Sequence, residues 1–208
     1  DTEKREAILA NCQTEEERKR TAELIRPILR GRDIRRYEYE WADKYLIATF
    51  PSRHYDIELY PAVKRHLLSF GKERLEQTGK TYSINGEKIK ARKKTHNKWF
   101  ETQDSISYWE DFMRPKIIWK RIGSILRFSY DTTGNLGLDS TCFATGQHMA
   151  YLCCILNSLM GHYMFKDSPK TGTGDLLVSV QAIEPILIPM NKDMECLFEN
   201  LLERSEER

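Results

Sequence analysis

Much of what this sequence could encode is excluded by what it lacks. It has no run of about eighteen apolar residues, the length that a membrane-crossing helix requires, so no spanning helix is expected. Its first residues show no basic-then-apolar leader pattern and no initiator Met, and Asp1 opens directly into helix-forming sequence. The expectation is a cytoplasmic piece of a longer polypeptide. Cys12, Cys142, Cys153, Cys154 and Cys196 are odd in number and contain no CxxC spacing, which argues against a disulfide framework or a zinc site and for reduced, mostly buried thiols. No low-complexity linker and no internal repeat interrupts the chain.

Catalytic signatures are equally scarce. The histidines at 54, 66, 96, 148 and 162 form no HExxH, and there is no GxSxG elbow. No two prolines are adjacent, so the Asn-Pro-Pro-Tyr type of motif that holds a flipped base is missing. Glu17-Arg18-Lys19 has the spacing of half a metal-dependent nuclease motif, but no Pro-Asp precedes it and a catalytic metal needs several converging carboxylates. The stretch Thr171 to Gly174 lacks both the GK[ST] ending of a phosphate loop and the third glycine of a dinucleotide fingerprint. It reads as a surface loop whose Thr171 and Thr173 hydroxyls are placed to meet a nucleic-acid backbone. The tryptophans at 41, 99, 109 and 119 read as core and rim aromatics rather than stacking platforms.

What is present describes a globular binding protein. The 208 residues are 40 % hydrophobic, 31 % charged and 11 % aromatic, enough for one substantial core. A net charge of +2 hides strong segregation: Lys64 to Lys98 holds eleven Lys or Arg against three Glu, a local net of +8, while Asp193 to Arg208 is acidic. A basic segment, Arg30 to Tyr37, carries four arginines and a glycine that reads as a hinge. Cations beside aromatic and glycine residues suit phosphates and base edges.

The chain order predicts a weakly anchored helix over 3–25 with a capping box at Thr14 and Glu17, ended by Pro27 and Gly31. Strand character follows over 37–50 and is stopped by Pro51; a helix over 60–76 begins with Pro61, and Asn85-Gly86 marks a tight hairpin. A short helix is expected around Tyr108 to Phe112, then strands over 116–122, 125–131 and 138–145 and a buried helix over 147–165. A short strand over 183–188 and a terminal amphipathic helix complete the list. The fold class expected is α+β, a mixed, mostly antiparallel sheet packed by helices, with a C-terminal amphipathic helix.

Six pieces in this order carry a resemblance: RPILRGRDIRRY (26–37) with Trp41 and Tyr45 to Ile47 following it, YPAVKRHL (60–67), KWFE (98–101), YWEDFMRPKIIW (108–119), YLCCILNS (151–158) and ILIP (186–189). Together, over about residues 24–190, they resemble the TaqI-like C-terminal specificity domain. That resemblance implies the target-recognition domain of an adenine-specific DNA methyltransferase, or of a type II restriction enzyme fusing nuclease, methylase and recognition parts, in a bacterial restriction–modification or phage-defence system. It implies an N-terminal methylase half that binds S-adenosylmethionine, no cofactor in this piece, double-stranded DNA as partner and no membrane. The domain reading is then a helical arm (1–23), a recognition domain (24–190) and a C-terminal helix (191–208).

The surface expected to meet DNA comprises Arg30, Arg32, Arg36, Lys120 and Arg121, with Lys88, Lys90, Arg92, Lys93 and Lys94 gripping the backbone and Thr171 and Thr173 adding contacts. The Arg30–Arg36 segment is the expected sequence-reading face, although Asp33 offers an internal partner that would make it a structural turn. The piece itself is expected to be non-catalytic. Two rival readings stand beside this one: a protein-interaction module, for which the acidic, Leu-bearing tail is the best feature, and a non-catalytic lobe of a nuclease.

Overall fold

The structure, a computed structural model, describes residues 1–206. The fold is α+β, and the chain divides into two compact units, one formed by Asp1–Pro27 and Asp43–Tyr108, the other by Ile28–Ala42 and the chain from Trp109 onward.

In the first unit, the helix expected over 3–25 is two helices, α1 (Thr2–Ala10) and α2 (Glu15–Leu24). Asp1 caps the first, accepting the Lys4 N–H at 2.9 Å, and Thr14 caps the second, accepting the Glu17 N–H at 3.1 Å. The Glu17 carboxylate, only 4 % exposed, accepts the Gln13 N–H at 2.9 Å and the Ala62 N–H at 3.2 Å. Ala62 lies in the first turn of a later helix, so one side chain satisfies donors at two helix starts that have no partner within their own helices. This is the role of the apparent nuclease half-motif. Nor is the arm weakly anchored, because Ile8 and Leu24 pack into one core with Ile57, Val63 and Phe100.

Strand β1 (Ile25–Leu29) contains Pro27, the residue expected to end the preceding helix. The strand changes partner at that residue: Ile25 to Pro27 run antiparallel to β2 (Tyr45–Ile47), whereas Ile28 and Leu29 run parallel to Leu136 and Gly137. At such a hand-over the missing N–H is tolerated. Of the strand character expected over 37–50 only β2 is a strand, with isolated bridges at Tyr37 and Tyr39; it ends at Ile47, before Pro51, which opens a 3-10 turn. Helix α3 (Pro61–Leu68) starts on its proline and stops early, because Gly71 at φ 87 turns the chain into the short α4 (Lys72–Leu75). Strands β3 (Thr81–Ile84) and β4 (Glu87–Lys90) form the expected hairpin, with Asn85 at φ 49 and Gly86 at φ 85 supplying the two positive dihedrals of a type I′ turn.

The second unit is organised on β5 (Lys116–Lys120). Its remaining elements are β6 (Ile122–Gly123), β7 (Phe128–Asp131), β8 (Leu136–Gly137), β9 (Thr141–Thr145), α5 (Met149–Asn157), α6 (Leu159–Met164), β10 (Leu176–Leu177), α7 (Val180–Ile183) and α8 (Lys192–Glu206). The sheet order is β7-β5-β9, antiparallel throughout, with Ile118 opposite Ser129 on one side and Phe143 on the other. As a central strand, β5 is buried from Lys116 to Trp119. Ile117 and Trp119 enter a core with Met149, Cys153, Leu156 and Phe165, while Ile118 packs with Leu29 and Ile34. That two-sided burial is why the strand reads as an unbroken apolar run.

Polar groups in this core are fully engaged. Lys116 pairs with Asp131, both wholly buried, and also donates to the Phe112 carbonyl at 2.8 Å. Asn157 pairs with both backbone groups of Phe128, accepting its N–H at 3.0 Å and donating to its carbonyl at 2.7 Å, as a neighbouring strand would. The helix expected over 147–165 breaks at Ser158, which caps α6 by accepting the Gly161 N–H at 3.2 Å. A Cβ on Gly161 would lie 2.3 Å from the Leu156 carbonyl oxygen, so this tight junction requires glycine. The strand expected over 183–188 does not form. Ile186 and Ile188 pack against the core and Leu187 is 91 % exposed, so the alternation is real, but α7 ends at Ile183 and no strand among the described residues pairs with the segment.

Candidate nucleic-acid interface

In the second unit, a shallow concavity of about 290 Å³ lies where the turn after β1 meets the end of β5 and the β6–β7 connection. Arg32, Arg35, Lys120 and Arg127 line it, with Ile34 beneath and Gly123, Ser124 and Ile125 along one edge. The floor is set by Gly31. A Cβ there would come within 2.9 Å of the Lys120 Cγ and 3.0 Å of the Ser140 carbonyl oxygen, and the Gly31 N–H is held by the Ser140 hydroxyl at 3.0 Å. Gly31 is therefore buried for close packing and is not the hinge expected from the sequence. The aliphatic stem of Lys120 passes beside both Gly31 and Gly123, and its ammonium remains exposed.

The arginines flanking Gly31 have different fates. Arg30 donates from Nη2 to Asp33 Oδ1 at 2.7 Å, from Nε to Oδ2 at 3.0 Å and from its backbone N–H to Oδ2 at 2.9 Å. Burial works to raise the Asp33 carboxyl, but the Arg30 side chain, the Arg30 N–H and the charges of Arg30 and Arg32 together hold it below the usual carboxylate range. Arg30 thus closes a structural turn, the internal pairing that the sequence left open. Arg32 and Lys120 are exposed and Arg127 is half-buried, and the charged ends of all three make no hydrogen bond or ion pair among the described residues. Arg35 donates to Glu40 and to the carbonyl of Arg32, at 2.7 Å for the latter. Arg36 is exposed and lies with Nη2 3.4 Å from the His162 ring, while Arg121 is exposed at the end of β5, its backbone bonded to Ser140 and Val178.

Thr171 and Thr173 sit in a closed loop. Their hydroxyls lie 2.8 Å apart, the Thr171 hydroxyl accepts the Asp175 N–H at 3.2 Å, and the Thr171 N–H donates to the Asp175 carbonyl at 2.8 Å. Both hydroxyls are engaged within the loop.

In the first unit, Lys88, Lys90, Lys93 and Lys94 are exposed and their ammonium groups make no ion pair among the described residues. Arg92 departs from the expected backbone grip. Its Nε donates to the Leu75 carbonyl at 2.8 Å, Nη1 to the Glu101 carbonyl at 2.9 Å and Nη2 to the Trp99 carbonyl, so it ties the hairpin base to two other segments. Burial pulls its pKa down, against the nearby charge of Glu76.

The sequence reading missed Arg127 and Ile125 and passed over Arg35. Arg127 alternates with the buried Leu126 and Phe128, a period-two signal that points it outward. No local signal, by contrast, distinguishes Arg92 from its free neighbours, and Asp33 announces an internal partner without marking which arginine takes it. Among the described residues no group of three His, Cys, Asp or Glu gathers as metal ligands, and no helix is long and apolar enough to cross a membrane.

Comparison with curated proteins gave no match. The family model of the TaqI-like C-terminal specificity domain matches residues 26–177, which takes in all of β1 but Ile25, the Gly31 concavity, the basic hairpin, the β7-β5-β9 sheet and the Thr171 loop. With most of its length covered by that match, the chain belongs to the TaqI-like C-terminal specificity domain family and is a DNA-recognition specificity module.

Proposed function

We propose that this chain is the target-recognition module of a site-specific DNA adenine N6-methyltransferase of a bacterial restriction–modification or phage-defence system, acting beside a methylase half that binds S-adenosylmethionine. The observation that carries the reading is the concavity at Gly31, where Arg32, Lys120 and Arg127 hold charged ends free of intrachain hydrogen bonds and ion pairs, among the described residues, above a rigid, buried floor. Free cations over a preorganised floor suit a polyanion whose register must be fixed, and arginine makes the commonest specific base contact, a bidentate pair to guanine. The four free lysines of the hairpin region suit backbone contact that is indifferent to sequence. No group in this chain is assigned to the cofactor or to the methyl-transfer step; its contribution is to hold the duplex while another part acts on an extruded base.

The test is selection of bound sites from a random duplex pool by the 208-residue chain, followed by methylation of the selected site by the intact parent polypeptide. Enrichment of one site, methylated at an adenine, is expected. Retention of all duplexes alike would reduce the chain to a non-specific DNA-binding surface, and failure to retain any duplex would favour a protein-interaction module.

A further inference from the structure

Ile125 is 54 % exposed at the edge of the concavity, beside Ser124 and among Arg32, Arg35, Lys120 and Arg127. Its neighbour Leu126 is 5 % exposed and enters the core, so the backbone at this point directs one apolar side chain inward and the other outward. An exposed isoleucine ringed by cations has no stabilising role in the free chain. It is held out of the core by the bend of the β6–β7 connection, and the charges around it oppose its burial against an ordinary apolar protein surface. The cations themselves favour phosphates, which a branched hydrocarbon cannot contact with profit. Only a ligand that is anionic around its edge and apolar at one point matches both features.

Duplex DNA offers that combination in the major groove, where the thymine 5-methyl group is the one apolar feature of the base edges and phosphates flank it on both sides. The side chain suits the task physically as well. A β-branched residue is stiff at χ1, so little rotamer freedom is lost when it seats.

We infer that Ile125 is a specificity-determining residue of this module, reading a thymine through contact with its 5-methyl group while Arg32, Lys120 and Arg127 hold the flanking phosphates and base edges. The inference rests on the target-recognition reading above and adds to it the identity of one base and the residue that reads it.

The experiment compares the 208-residue chain with its Ile125→Ala variant, using the same random-duplex selection and then the selected duplex with single thymines replaced by deoxyuridine, which removes only the methyl group. The expected result is a thymine enriched at one position by the parent chain and absent from that position alone in the variant's selection. Deoxyuridine there should weaken the parent chain about fourfold, the worth of one buried methyl group, and leave the variant unchanged. Identical preference profiles for the two chains, no enriched thymine, or indifference to deoxyuridine would overturn the inference while leaving the recognition reading intact. A uniform weakening across all sequences would overturn it in favour of a wedge between base steps. If neither chain selects any duplex, the recognition reading itself fails and the inference fails with it. Because Ile125 is exposed, the variant should show the parent's circular dichroism and urea midpoint, so a change in preference is not a folding effect.

Discussion

The β3–β4 hairpin region and the Gly31 concavity are both basic, yet they are built from different materials. On the hairpin, Lys88 and Lys90 share one face of β4 and alternate with the half-buried Ile89, and Lys93 and Lys94 continue into the following loop. Lysine is a mobile point charge on a flexible stem, suited to any phosphate within reach. The concavity sets arginines beside a single lysine, Lys120, and an apolar edge over a floor that glycine packs tightly. Arginine's planar fork gains most where its surroundings are rigid. Each region also surrenders arginine to the fold, the hairpin region Arg92 to three carbonyls and the concavity Arg30 to Asp33 and Arg35 to Glu40. A basic run is therefore no uniform contact surface: its anchors and its contacts are interleaved, one or two residues apart.

Removing an anchor and an exposed cation from the same run should have the most unequal effects. Arg92→Ala leaves three backbone carbonyls without their donor in a partly buried setting, and should lower the unfolding free energy by about 2–4 kcal/mol. Lys93→Ala, one residue away and exposed, should stay within about 0.5 kcal/mol. Urea unfolding of the two variants measures both. Equal midpoints would mean that Arg92 belongs with the DNA-facing cations after all.

That interleaving also marks what sequence can and cannot convey. The Asn85-Gly86 turn, the start of α3 at Pro61, the strand at 116–120 and the amphipathic α8 were all legible because their causes are local: positive φ, a ring-fixed φ, or a repeat of apolar positions. The fate of Arg92 depends on carbonyls at positions 75, 99 and 101, and that of Pro27 on two strands that exchange places beside it. The strand misread at 183–188 has the right alternation but no neighbour to pair with, since periodicity reports which side faces the core and not whether a ladder exists. Arg32 and Lys120 were legible as candidates. That Arg127 and Ile125 complete the same concavity follows only from the β6–β7 path.

The second expectation concerns the hairpin alone. Replacing Lys88, Lys90, Lys93 and Lys94 together by Gln should flatten the log–log salt dependence of duplex binding by about 3–4, because each phosphate that a lysine no longer neutralises takes about 0.9 off the slope. Binding should weaken for all sequences alike. A variant with the parent's slope would show these lysines to be an ordinary solvated surface. Single substitutions in the concavity should behave in the opposite way. Arg32→Ala and Arg127→Ala should each reduce discrimination at one position of the site by about 1–3 kcal/mol and barely change binding to unrelated duplexes. If they weaken all duplexes equally, the concavity grips phosphates only and the contrast between the two regions collapses.

The smallest expected effect separates the two anchors from each other. Arg92 binds neutral carbonyls, so its contribution should not vary between about pH 5 and 3, whereas Arg30 binds a carboxylate whose unfolded form takes up its proton in that range. The folded Asp33 carboxyl is held below its usual value, so in this range the unfolded chain takes up its proton first as acid is added. The pair's contribution is therefore complete above the unfolded carboxyl pKa near about 3.9 and disappears as pH falls through the lower folded value. Asp33→Asn removes the titration. The parent should lose about 1 kcal/mol more than this variant between about pH 5 and 3, read from urea midpoints at each pH, because a partly exposed arginine partner limits the shift. Arg92→Ala, though far less stable at every pH, should keep the parent's pH slope. Parallel profiles for the parent and Asp33→Asn would show that Asp33 titrates alike in both states, so that Arg30 is held by geometry rather than by charge.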